Sequence, residues 1–176
     1  MRSNYKTHDW VTLLSAVGLA PLCYWAASQY RPMFGHYPLS TTPWGTTILV
    51  VGAYVFSGLW LSNDLDIYSR IYRRWGPLRF LWYPYQRLIA HRSWLSHGLV
   101  VGPLLRVVYL YVMIHLVLIG VYRGVRWLGQ STAVVDSGLQ VLATIWPYVL
   151  THSHISVPLL VGLVLGGVAH SLVDWA

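Results

Sequence analysis

Four runs of this 176-residue chain are apolar over close to the roughly 20 residues that carry an α-helix across a bilayer: Trp10 to Tyr30, Trp44 to Ser62, Leu99 to Tyr122 and Ile155 to Val173. A fifth, Ala133 to Leu150, is shorter. Hydrocarbon offers the backbone no hydrogen-bond partners, so runs of this kind span as helices, whose donors and acceptors are satisfied within the segment. The composition agrees: 10% of the residues are charged, against about 25% in a soluble domain, and the mean hydropathy is +0.50. That excludes an ordinary soluble enzyme. Ten Trp and thirteen Tyr exclude a disordered chain, and the single Cys23 excludes a disulfide scaffold. The first run exceeds the 7 to 15 residues of a signal-peptide core, so it reads as an uncleaved anchor. The length fits one domain, and residues 1–176 are expected to form a single helical transmembrane metal-binding domain.

The charges set an orientation. A formal net charge of +7 can mark a nucleic-acid binder, but here the cations lie between apolar runs, the distribution of a positive-inside membrane protein, and no nucleic-acid partner is expected. Six Arg fall between the second and third runs (Arg70, Arg73, Arg74, Arg79, Arg87, Arg92), and Arg2 and Lys6 precede the first. The segment from Arg31 to Pro43 holds one. The N-terminus and the 63–97 loop are therefore expected in the cytoplasm, with Arg123 and Arg126 a minor exception. The six Arg either set topology and touch anionic lipid or hold an anionic substrate.

The chemistry sits in few residues. There is no Glu, and the five acids are Asp9, Asp64, Asp66, Asp136 and Asp174. His8 abuts Asp9 where the first run begins, Asp64-Leu65-Asp66 follows the second, His91 and His97 precede the third, and His170 and Asp174 lie four apart near the end of the last. Imidazole and carboxylate are the ligand set of zinc, manganese or non-haem iron. On a helix His170 and Asp174 share a face at i and i+4. Asp64 and Asp66 are expected to point the same way in an extended or turn segment, which suits a loop ligand pair. His91 and His97 are about 9 Å apart in helix rise, so one ion can take both only if the helix breaks between them. The plainer readings are a helix cap for Asp9 and a turn for Asp64 and Asp66.

These groups meet only in one topology. With the N-terminus inside, His8, the Asp pair and the His91/His97 segment all fall on the cytoplasmic face. His170 and Asp174 join them if Ala133 to Leu150 does not cross. Asp136, Gln140 and Thr144 recur at i, i+4 and i+8 there, making the polar stripe of an interfacial helix. The expected fold is an all-α integral membrane helical bundle of four spans plus one interfacial helix; five spans is the alternative, at the cost of the convergent site. His115 falls near the opposite interface and reads as structural, and His36, His152 and His154 fall outside. Arg106, about 13 Å beyond His97 along the third run, either faces a polar interior or snorkels.

The succession Thr7-His8, Asp64-x-Asp66, His91-Arg92-Ser93 with Ser96-His97, and His170-x-x-x-Asp174 resembles the YdjM-like family of membrane-bound metal-dependent hydrolases, also labelled LexA-binding inner-membrane proteins. From Ser62-Asn63-Asp64-Leu65-Asp66 through Arg73-Arg74-Trp75-Gly76 to His91-Arg92-Ser93-Trp94-Leu95-Ser96-His97-Gly98, the chain is more similar still to a bacterial family of metal-binding integral membrane proteins, common in cyanobacteria. More distantly, the order of His and Asp is similar to that of the zinc-dependent phospholipase C and P1 nuclease group. His91 and His97 are six apart where the hydrolase-like family has five. The resemblance implies a bacterial inner membrane or a cyanobacterial plasma or thylakoid membrane.

The first functional reading is hydrolysis of a phosphate ester or lipid-linked substrate at the cytoplasmic face. His8, Asp64, Asp66, His91, His97, His170 and Asp174 would hold one or two divalent ions, zinc first, with manganese, iron or magnesium as alternatives. Arg92 would neutralise developing charge, and His97 is the candidate general base. The second reading is a non-catalytic protein whose ion staples helices or serves assembly with a membrane-protein partner or a second copy; membrane lipid is a partner in either. Transport ranks last, because the acids lie at span ends rather than near the midplane.

Overall fold

The computed structural model describes residues 5–29, 42–91 and 93–175, and it is all-α over them. Five helices are long and apolar enough to cross a membrane: α1 (Tyr5–Gln29), α2 (Pro43–Trp60), α6 (Val101–Trp127), α7 (Ala133–Thr151) and α8 (Ser153–Trp175). Between α2 and α6 the chain folds as short pieces: a 3-10 turn at Asn63–Asp66, α3 (Arg70–Arg74), a second 3-10 segment at Gly76–Trp82, α4 (Tyr83–Leu88) and α5 (Trp94–His97). The starts of α2, α3 and α5 carry side-chain caps. Thr42 accepts from the Gly45 amide at 3.0 Å with Pro43 at the first helical position, where no donor is needed. Ser69 and Ser93 accept likewise from Tyr72 and Ser96.

Small residues bring the long helices together. Gly162 and Gly166, one turn apart on α8, lie against the α2 backbone at Val50 and Tyr54, so closely that a Cβ at Gly166 would stand 2.5 Å from the Tyr54 carbonyl oxygen. Helices in lipid gain little from burying apolar surface and associate instead by close packing and interhelical hydrogen bonds. Ser57 of α2 supplies one, donating to the Leu163 carbonyl at 2.8 Å. Against α1, Gly58 of α2 receives Thr12, and the Tyr54 and Ser15 hydroxyls meet at 2.5 Å. Gly167 of α8 sits against Pro103 of α6.

The aqueous-style core lies at one end of the bundle. Leu61, Leu65, Ile71, Tyr72, Trp82 and Tyr85 form it, and Trp75 and Tyr109 pack on it. The outer faces of the long helices are apolar and open, as with Leu14 and Val17 on α1, which suits helices whose solvent is lipid. What the sequence presents as a loop over 63–97 is thus a folded cap with its own core. Its Arg74 donates to the Leu59 carbonyl at 2.9 Å and pairs with Asp9, tying the cap to the ends of α2 and α1.

Contacts at that end fix the direction of each helix. His8 near the start of α1, Asp64 after α2, His97 before α6 and His170 near the end of α8 come together there. α6 therefore leaves the cap and α8 returns to it, and α7 links their far ends. It lies beside α6, with Gly138 near Leu118 and the Tyr111 hydroxyl donating to the Leu142 carbonyl at 2.9 Å, and none of its residues is buried.

Candidate metal centre

Asn63–Asp66 is a tight turn with about three residues per turn, so side chains two apart point in directions about 120° different. Asp64 and Asp66 accordingly separate. This corrects the expectation that they face one way: the segment is 3-10 rather than extended. Asp66 turns towards His91 and His97, and Asp64 towards His170.

The Asp66 side is the more compact. One ligand atom from each of Asp66, His91 and His97 lies within 4.8 Å of the others. His91 Nδ1 is 2.9 Å from Asp66 Oδ1, and His97 Nδ1 is 3.9 Å from Asp66 Oδ2. The chain does break between the two histidines: His91 precedes the Ser93 cap and His97 ends α5, which closes their rings to 5.3 Å. The Asp66 carboxylate is fully buried, whereas the His91 side chain is 39% exposed. The group thus opens on one side.

On the Asp64 side, His170 Nε2 is 3.6 Å from Asp64 Oδ2, and the His8 and His170 rings are 4.4 Å apart. Both histidines are buried. His97 also acts electrostatically on Asp64, so the two sides adjoin. Asp9, beside His8, plays no part here, being the partner of Arg74 rather than a helix cap. The Asp174 side chain and all of Arg92 lie outside the described residues, as does His36. His115 bonds the Tyr111 carbonyl within α6, and the His152 and His154 rings meet edge to face at the start of α8.

The donor set suits a divalent cation. It offers imidazole nitrogens and carboxylate oxygens at one place, and Asp66 Oδ2 is buried without a hydrogen-bond partner, which is costly for a carboxylate unless a cation offsets it.

A polar layer underlies the cluster, and the sequence reading did not assign most of it. Arg106, 0% exposed, faces inward rather than snorkelling. It donates to the Ser96 carbonyl at 2.7 Å and to Asn63 Oδ1 at 3.0 Å. Asn63 in turn donates to Ser171 Oγ at 2.7 Å. Burial pushes the Tyr85 phenol above its usual range against the opposing pull of Arg106, so a neutral hydroxyl accompanies the guanidinium. The available signal was polarity in apolar surroundings, at Arg106 in α6 and Ser171 in α8.

A family model described as uncharacterized metal-binding protein (DUF2227) matches residues 4–176. No curated protein and no solved structure matches.

Proposed function

We propose, starting from the fact that this chain belongs to the DUF2227 family of metal-binding proteins, that it is a membrane-embedded hydrolase, dependent on a divalent metal, of a phosphate ester or lipid-linked substrate. The observation that carries the reading is the pair of adjoining Asp/His groups at one end of a bundle of membrane-length helices, one of them open at His91. Asp66, His91 and His97 hold one ion, and His8, Asp64 and His170, with Asp174, hold a second; zinc suits this donor set first, ahead of manganese, iron or magnesium. A bound ion would supply an acidified water and polarise a phosphoryl oxygen.

The chain's own residues do the rest. Asp66 fixes the His91 ring through the 2.9 Å contact, and His97, beside the Ser96 hydroxyl at 2.8 Å, is either a ligand or, with the ion held by the others, the base that accepts a proton. Arg92 neutralises charge developing on the substrate. The relationship to YdjM-like hydrolases rests on the shared motif order.

The membrane reading has four spans, α1, α2, α6 and α8, with α7, which runs back beside α6 with no residue buried, not crossing; the return of His170 on α8 to Asp64 supports it. The Arg-rich cap then lies in the cytoplasm with the N-terminus, against anionic lipid, in a bacterial inner membrane or a cyanobacterial plasma or thylakoid membrane. Reporter fusions after Gly129 and at the C-terminus are expected on opposite sides; a shared side overturns the four-span topology.

A specific observation also favours a structural staple: the cluster joins α1, the cap and α8 at one point, and such an ion could serve assembly with a second copy or another membrane protein. Elemental analysis and a metal-dependent screen of phosphate esters and phospholipids separate the readings. One to two ions per chain with turnover supports the hydrolase, ions without turnover the staple, and no ion removes both.

A further inference from the structure

We infer that Arg106 is the positioning residue that forms the ligand cluster before any cation arrives. The inference deepens the metal-centre reading above and rests on it for its affinity readout. A guanidinium with 0% exposure in a membrane-length helix is costly to desolvate unless its surroundings compensate. Its partners explain why it is there. Ser96 immediately precedes His97, and Asn63 immediately precedes Asp64, so the two hydrogen bonds of Arg106 grip the two turns that carry ligands from opposite sides of the cluster. Asn63 passes the linkage to Ser171, the neighbour of His170 on α8. One side chain therefore registers the Asn63–Asp66 turn directly against the 91–97 segment, and through Asn63 against α8.

Charge completes the argument. Asp64 and Asp66 lie two residues apart on one turn, and both act electrostatically on Arg106. Without a cation they repel each other, which would spread the turn. The guanidinium supplies permanent positive charge beneath them while leaving Asp66 Oδ2 without a hydrogen bond. Lys brings the charge but lacks the planar fork that reaches two acceptors in two turns, so the arrangement calls for Arg.

The test compares wild type, Arg106→Lys and Arg106→Met in detergent, stripped of metal, by amide hydrogen exchange, followed by titration with zinc alone. In Arg106→Met, exchange at Leu65, Ser96 and His97 is expected to quicken at least tenfold with the α1 and α2 interiors unchanged, and zinc affinity to fall at least tenfold. Arg106→Lys is expected to lie between. Unchanged exchange in the two turns, or an equal rise through all helices, overturns the inference. If Arg106→Met fails to fold, Asn63→Ala takes its place and is expected to free Leu65 more than His97; equal protection overturns it. If wild type binds no zinc, the metal-centre reading fails by itself, and the exchange of the stripped proteins still decides the role of Arg106.

Discussion

Asp66→Asn is expected to weaken binding of the tightest divalent ion at least 100-fold, close to 2.7 kcal/mol, while leaving the protein helical and inserted. The substitution keeps the size of the side chain and removes the charge at the point where His91 and His97 meet. That carboxylate has no exposure, so water cannot stand in for the lost charge, whereas Asp64 is 28% exposed and its loss is partly screened. A neutral amide still bonds His91 but offers a cation a much weaker ligand. Asp9→Asn is the contrasting control. Its carboxylate is partly exposed and paired with Arg74, which places its worth at about 1 kcal/mol of stability or less, with ion affinity within twofold of wild type. Isothermal titration of both variants checks the pair of outcomes. Equal affinities for Asp66→Asn and wild type would mean that the cluster is an ordinary polar core.

How much of this was legible from the chain depends on the distance over which each determinant acts. The long apolar helices were readable because apolar length is a local property: α2 and α8 begin and end within a few residues of the apolar runs. The convergence of His8, Asp64, His97 and His170 was readable too, since alternating spans return their ends to one face. The split of Asp64 from Asp66 was not, because periodicity over three residues does not distinguish a 3-10 turn from an extended one. The cap escaped the sequence for a related reason. Its core residues, Ile71, Tyr72, Trp82 and Tyr85, sit in pieces of five to seven residues, too short for a periodic signal, and are ordered by contacts with Leu61, Leu65 and Tyr109. Arg106 shows the limit most directly. A charge in an apolar helix announces a function or a snorkel, and only the partners at Asn63 and Ser96 decide between them.

Gly166→Leu is expected to destabilise the bundle by about 3 kcal/mol and to remove one ion of two. A side chain there has no room: its Cβ would stand 2.5 Å from the Tyr54 carbonyl oxygen, 2.7 Å from Ser57 Cβ and 3.1 Å from the Gly58 amide nitrogen. Two of those atoms are backbone and cannot rotate aside, so α2 and α8 must separate. His170 is one turn beyond Gly166 on α8, while its partner Asp64 follows the end of α2, and the separation therefore acts directly on the 3.6 Å contact between them. The Asp66, His91 and His97 group is built within the cap and reaches α8 indirectly, through the Asn63–Ser171 hydrogen bond, so its ion should remain. Gly52→Leu on α2, where nothing lies within 4 Å of the added Cβ, controls for the loss of glycine and is expected to retain both ions and near-normal stability. Ion stoichiometry by elemental analysis, read beside unfolding in denaturing detergent, makes the comparison. Loss of both ions at once from a still-folded Gly166→Leu protein would show that the two groups form a single indivisible site, coupled through the Asn63–Ser171 hydrogen bond.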